Sequence, residues 1–137
     1  MREIKFRAWC EAKRRYFLTD EMVNDQFALL PNGFFANISG RSTLETRIFT
    51  HEEYLPEQFT GQKDKNGMEI YEGDITSIHW SQWSWVAVVE WDTENPCFVL
   101  HTIKGNRVTD YEYDFSKCRL MEHEVIGNIH ESKYLLD

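Results

Sequence analysis

Recognisable catalytic machinery is what this chain most plainly lacks. Its 137 residues contain no Gly-x-Ser-x-Gly elbow, no P-loop and no dinucleotide fingerprint, so neither a nucleophilic nor a nucleotide-dependent mechanism has an anchor. Cysteine is scarce. Cys10, Cys97 and Cys118 are odd in number, far apart and without a Cys-x-x-Cys pair, which argues against a disulfide framework or zinc site and for buried free thiols. The five histidines do not pair at ligand spacing. After His123-Glu124 a zinc-protease helix would need a second His at the place where Gly127 stands, and His123 and His130 fall on opposite faces of a strand. No apolar run approaches the roughly 18 residues that span a bilayer, and the opening residues offer no secretory core. The expectation is a cytoplasmic protein that uses neither membrane nor cofactor.

What is present is aromatic and acidic. Aromatic residues make up 15% and charged residues 28%, a composition that fits a folded soluble chain of one compact unit with a small appendage. The net charge of −8 is uneven. Residues 1–17 carry six basic and two acidic side chains, a local +4 that leaves −12 on the other 120. Most of the surface therefore repels a phosphate backbone, and one patch attracts it.

Along the chain, Ile4, Phe6 and Ala8 alternate with Lys5, Arg7 and Trp9 in the period of a half-buried strand. Glu11 to Arg14 turn it, and Tyr16-Phe17-Leu18 return as the second arm of a hairpin, with Trp9 exposed unless another element covers it. Thr19 with Asp20, Glu21 and Met22 predicts a short capped helical turn. From Asn24 to Tyr54 the signal is weak: short apolar pieces are broken by Pro31-Asn32-Gly33 and Ser39-Gly40-Arg41-Ser42, compatible with short strands or loops.

Turn chemistry is densest over residues 58–78. Asn66-Gly67 suits the two positive φ angles of a type I′ hairpin, and Glu72-Gly73-Asp74 supplies a second turn before the strand that starts at Ile75. In a strand over residues 83–91, Trp83, Trp85, Ala87, Val89 and Trp91 share one face, which reads as the core side. Thr93 to Pro96 turn the chain, Cys97 to Ile103 form the next strand, and Lys104-Gly105-Asn106 connects it onward. Residues 108–115 alternate strictly, with Asp110, Glu112 and Asp114 wet and Tyr111, Tyr113 and Phe115 opposite. Residues 124–129 give a last short strand, followed by a helical turn or a tail docked through Leu135. Short strands with Gly-based turns predict a mainly β fold with a small, strongly bent antiparallel barrel over residues 58–131. Residues 1–57 then form a β-hairpin and loop-rich appendage, and 58–137 the barrel domain.

Three stretches stand out together: the opening Met1-Arg2-Glu3-Ile4-Lys5-Phe6-Arg7-Ala8-Trp9, the segment from Gln58-Phe59-Thr60-Gly61 through Asp64-Lys65-Asn66-Gly67 to Ile70-Tyr71-Glu72-Gly73-Asp74-Ile75, and the closing Glu124-Val125-Ile126-Gly127-Asn128-Ile129-His130-Glu131. In this order they resemble the YopX family of small phage and prophage proteins from Gram-positive bacteria. Residues 19–54 and the Trp run lie outside this pattern, and Cys10 stands where the family often has Asp. The resemblance implies an SH3-like barrel in the C-terminal part and no defined activity. Its motif residues Gly61, Asp64, Asn66, Gly67, Gly73, Asp74 and Gly127 are of the kind that shape turns: the glycines free the backbone, and the aspartates accept backbone N–H bonds.

Four constellations compete for function. Glu69, Glu72 and Asp74 could perform acid-base chemistry as a metal-dependent hydrolase, but they lie in turn-rich, wet backbone. Asp110, Glu112 and Asp114 could hold a hard cation, although a flat row suits edge protection better. Arg7, Lys13, Arg14 and Arg15 with the nearby aromatics could bind nucleic acid, an alternative that the −12 elsewhere disfavours. Trp9, Trp80, Trp83 and Trp85 are candidates for an exposed patch that binds a host or phage protein or a second copy of the chain, since Trp is enriched at binding hot spots. A non-catalytic protein-binding module is the favoured expectation.

Overall fold

Period-two alternation at the start of the chain does produce a hairpin. In the computed structural model, which describes residues 3–38, 47–95, 97–105, 111–115 and 121–137, strand β1 (Phe6–Cys10) pairs antiparallel with β2 (Arg15–Phe17), Ala8 facing Phe17 across the ladder. Arg14 closes the turn at φ 51°, donating its backbone N–H to the Glu11 carbonyl. The helical turn α1 (Thr19–Asn24) follows. Thr19 does not cap it: its hydroxyl donates to the Phe6 carbonyl instead, tying the helix start to β1.

The weak middle segment resolves into strands β3 (Phe27–Leu29), β4 (Phe35–Asn37) and β5 (Arg47–Ile48), which form a three-stranded sheet. Gly33, at φ 85°, closes the β3–β4 turn. Strand β6 (Tyr54–Lys63) then begins by pairing with β1. The described chain divides into two compact units, residues 3–58 and 59–137, and β6 passes from the first into the second. The core of the first unit is aromatic. Phe17, Phe27 and Phe49 each present an edge or tilted ring to Tyr54, with centroids 4.7 to 5.6 Å apart, the geometry that ring quadrupoles favour.

In the second unit the end of β6 pairs with β7 (Glu69–Tyr71). The turn between them is not type I′, because Asn66 does not take the positive φ that this turn demands. The Asp64 carbonyl accepts from Gly67 N–H, and Asp64 Oδ1 accepts from Asn66 N–H at 2.8 Å and Met68 N–H at 2.9 Å. Gly67 alone is left-handed, at φ 81°. That is a type I turn with Asp first and a left-handed Gly last, chosen because the carboxylate satisfies the N–H groups that the turn exposes.

Strands β8 (Asp74–Trp80), β9 (Trp83–Asp92), β10 (Cys97–Gly105), β11 (Tyr111–Asp114) and β12 (Glu122–Asn128) make one antiparallel sheet in the order β11-β10-β9-β8-β12. A short 3₁₀ helix (Lys133–Leu136) ends the chain. The fold is mainly β, and every described ladder is antiparallel. The SH3-like closure expected from the resemblance is not among the described ladders, in which β11 and β12 are outer strands.

The core of this unit gathers Ile70, Ile78, Trp85, Ala87, Val89, Leu100 and Phe115, so the expected inner face of β9 holds from Trp83 to Val89. Trp91 departs from it and is 43% exposed, at the end of β9, where its ring meets the half-buried Phe98 edge-on at 5.0 Å. Gly127 is not a turn residue either. It sits in β12 at a register shift opposite Ile75, and an added Cβ would collide with the Ser132 hydroxyl and lie 2.6 Å from Ser132 Cβ. Its missing side chain lets the C-terminal turn pack down.

Candidate aromatic pocket

Two cross-strand pairs build the candidate site. Ile78 faces Trp85 and Trp80 faces Trp83 across the β8–β9 ladder, so all four side chains leave the same face of the sheet at its hairpin end. The connection is only Ser81-Gln82, and Ser81 takes the left-handed φ of 55° that so tight a reversal needs. No Gly-based signal marks this hairpin, which is why the sequence shows an aromatic run there and not its fold.

Neighbouring strands complete the walls. Tyr113 on β11 places its ring centroid 6.5 Å from that of Trp85, tilted by 54°. Thr102 from β10 and Met121 just before β12 line the same cavity, whose volume is about 160 Å³. That is below the volume of a typical small-molecule site. None of the described residues that line it is charged. The three indoles are graded in depth: Trp85 is 8% exposed, Trp83 is half-buried and Trp80 is 57% exposed.

Packing, and not hydrogen bonding, holds the deepest ring. Trp85 Nε1 is buried with no hydrogen-bond partner among the described residues, and an orphaned buried donor costs about 1–3 kcal/mol. Opposite Trp85 on β10 stands Gly105. A Cβ there would collide with Trp85 Cδ1 and lie 2.7 Å from the Ser84 carbonyl oxygen, which as backbone cannot give way. Gly105→Ala is therefore expected to cost about 1–3 kcal/mol by overpacking and to displace the indole. Urea unfolding followed by tryptophan emission checks both; an unchanged midpoint and spectrum would contradict this role for Gly105.

The other candidate residues are placed differently. Trp9 is no part of an exposed patch: it is 2% exposed, its Nε1 donates to Glu11 Oε2 at 2.7 Å, and Tyr16 packs edge-on against it at 5.0 Å. Arg7 is buried as well, bonded to Glu57 Oε1 through Nη2 at 2.8 Å. Arg14 pairs with Glu11 at 2.6 Å and Arg15 with Glu21 at 3.0 Å. Lys13 lies 5.2 Å from the centre of the Phe17 ring. Carboxylates thus meet three of the four cations that were candidates for a phosphate backbone.

Among the proposed acidic sites, Asp74 is buried and accepts Tyr71 N–H at 2.9 Å, a structural turn bond. Glu69 lies 3.4 Å from the Tyr71 hydroxyl. Among the described residues no three His, Cys, Asp or Glu side chains are grouped to hold a metal ion. Asp110 and the Glu112 side chain lie outside the described residues, as does Cys118. Among those described, Cys10 and Cys97 are free thiols, and no helix is long and apolar enough to cross a membrane.

Comparison with known proteins bears on the whole chain. A protein of solved structure, "Crystal structure of protein EF1440 from Enterococcus faecalis", superposes with a TM-score of 0.60 at 23% identity, covering 100% of both chains. At that identity the likeness is one of fold. No curated protein matches the chain. Residues 5–137 match the family described as YopX protein, which takes in the opening strand, the Asp64 turn and the closing strand alike. The chain belongs to the YopX family.

Proposed function

We propose that this protein, phage- or prophage-encoded as its family suggests, works in the bacterial cytoplasm as a non-catalytic protein-binding module. The unit that starts near residue 58 carries the contact surface. One observation supports this reading above others: an exposed indole, Trp80, stands beside half-buried Trp83 at a cavity of about 160 Å³ whose described lining residues carry no charge. Such an arrangement offers apolar area that folding has left uncovered, and partner side chains gain most where aromatic anchors and a pocket coincide. Direct nucleic-acid binding is the weaker reading, because Glu57, Glu11 and Glu21 already engage Arg7, Arg14 and Arg15.

The test is affinity capture from nuclease-treated bacterial lysate, comparing wild type with Trp80→Ala and identifying retained proteins by mass spectrometry. Trp80 is exposed, so its loss is expected to change stability by no more than about 0.5 kcal/mol. The expected result is one or more proteins retained several-fold better by wild type. Equal retention by both forms would overturn the reading, as would partners captured from a parallel untreated lysate but not from the nuclease-treated one.

A further inference from the structure

We infer that Asn66-Gly67 is a modification site: Asn66 deamidates to aspartate and isoaspartate at a rate gated by the Asp64 turn, and the product loosens that turn from β12. The inference goes beyond the binding-module reading and does not depend on it. Three observations carry it.

The first is the reacting pair. In this chemistry the backbone nitrogen of the following residue attacks the asparagine side-chain carbonyl carbon; a C–N bond forms and the amide nitrogen leaves as ammonia. Water then opens the five-membered imide at either C–N bond, so the net change is amide plus water to carboxylate plus ammonia. A side chain on the attacking residue obstructs the approach. Gly67 has none, and the space where its Cβ would stand is open among the described residues. Asn66 and Gly67 are both exposed, so water reaches them.

The second is the gate. The attacking nitrogen donates its hydrogen to the Asp64 carbonyl at 3.0 Å. On either side of it, Asn66 N–H and Met68 N–H donate to Asp64 Oδ1 at 2.8 and 2.9 Å. Attack requires the Gly67 nitrogen to give up its proton and swing toward the Asn66 side chain, which the closed turn opposes. The turn is in turn held on β12, where Val125 N–H donates to Asp64 Oδ2 and the His123 carbonyl accepts from Lys65 N–H, both at 2.9 Å. Reaction therefore awaits a local opening, and its rate is the intrinsic rate multiplied by the open fraction.

The third is what surrounds the product. Asn66 Nδ2 lies 3.5 Å from Glu124 Oε1 on β12, and Lys65 Nζ lies 3.5 Å from Glu124 Oε2 and 4.0 Å from Glu122 Oε2. Deamidation puts a carboxylate where an amide faced Glu124, adding a negative group to the two already gathered around Lys65, and like charges at this range repel. Isoaspartate also lengthens the main chain by one carbon between Asp64 and Met68. That spoils the spacing by which one carboxylate oxygen accepts from both N–H groups.

The experiment incubates the full chain in mildly alkaline buffer beside a blocked peptide of residues 61–71, and follows conversion at Asn66 by peptide mass spectrometry. The protein is expected to convert at least tenfold more slowly than the peptide, because the turn is closed most of the time. Asp64→Asn, its folding checked by a urea transition, should convert at Asn66 at least threefold faster than wild type, while the same change leaves the peptide rate nearly unaltered. Converted protein is then separated by anion exchange, and its Val125 N–H should exchange with deuterium at least tenfold faster than in the unconverted form. Protein and peptide converting at equal rates would overturn the gate without recourse to any variant, and a folded Asp64→Asn no faster than wild type would do the same. Conversion at other asparagines with Asn66 intact would overturn the site. Unchanged protection of Val125 after conversion would overturn the loosening of the turn from β12.

Discussion

Replacing Asp64 with Ala is expected to lower the melting temperature by about 10–20 °C, corresponding to roughly 3 kcal/mol for a unit of this size. The carboxylate is buried and accepts three backbone N–H bonds. Asn66 and Met68 donate to Oδ1 within the turn, and Val125 on β12 donates to Oδ2 at 2.9 Å. Beside them the Lys65 N–H donates to the His123 carbonyl at 2.9 Å, so the turn is fastened to the closing strand twice. Removing the carboxylate strands donors that water reaches poorly. Asp64→Asn should fall between, since its amide can still accept from Asn66 and Met68 but turns a donor toward the Val125 N–H. A melting curve for Asp64→Ala within about 3 °C of wild type would refute this account.

The same site sets a dependence on acid. Burial works to raise the Asp64 carboxyl, but the N–H groups of Val125, Met68 and Asn66, with Lys65 nearby, outweigh it and hold the group below its ordinary value of 3.8. The folded state therefore binds the proton less readily than the unfolded chain. Its contribution to stability is complete above pH 3.8 and is lost as pH falls through the lower folded value. Denaturant unfolding between pH 5 and 2 should show a shallower acid loss in Asp64→Asn than in wild type; parallel curves would mean that other carboxylates carry the effect.

The second large effect belongs to the first unit. Glu57→Ala is expected to cost about 3–5 kcal/mol, because it leaves a buried guanidinium without its counter-charge. Arg7 Nε and Nη2 both donate to Glu57 Oε1, at 3.2 and 2.8 Å, and the Tyr16 hydroxyl donates to the same oxygen at 3.0 Å. Arg7 and Glu57 are 8% and 3% exposed. Desolvating two charges offsets much of their attraction, so replacing the whole group with apolar residues should be mild. The triple variant Arg7→Met, Tyr16→Phe, Glu57→Leu is accordingly expected to regain most of the loss in a urea titration. A triple variant as unstable as Glu57→Ala would place the loss in packing instead.

Much of the fold was legible locally. Alternation in residues 4–9 and 83–91 announced strands because successive side chains on an extended backbone must leave opposite faces. Asp64 and Gly67 announced a reversal because one accepts turn N–H groups and the other relaxes a left-handed φ. The turn type follows from the tertiary structure, although the reversal itself is local. Asn66-Gly67 suits a type I′ turn, but the Asp64 side chain favours the type I arrangement and reaches residue 125 at the same time. Ser81-Gln82 left no signal, since nothing about Ser foretells a left-handed φ.

What the sequence determined alone was therefore the mainly β character, the kinship and several of the places where the chain reverses, all of which depend on backbone sterics and on bonds between residues a few positions apart. The tertiary structure decided which tryptophans are covered: Trp9 and Trp80 look alike in the sequence, yet one is enclosed by Tyr16 and Glu11 and the other stands at the edge of a cavity. It also decided that Arg7 belongs to Glu57, 50 residues away, and not to a phosphate. Burial and charge pairing are set by which strands lie side by side, and strand neighbours distant in sequence leave no local mark on the residues that come to touch.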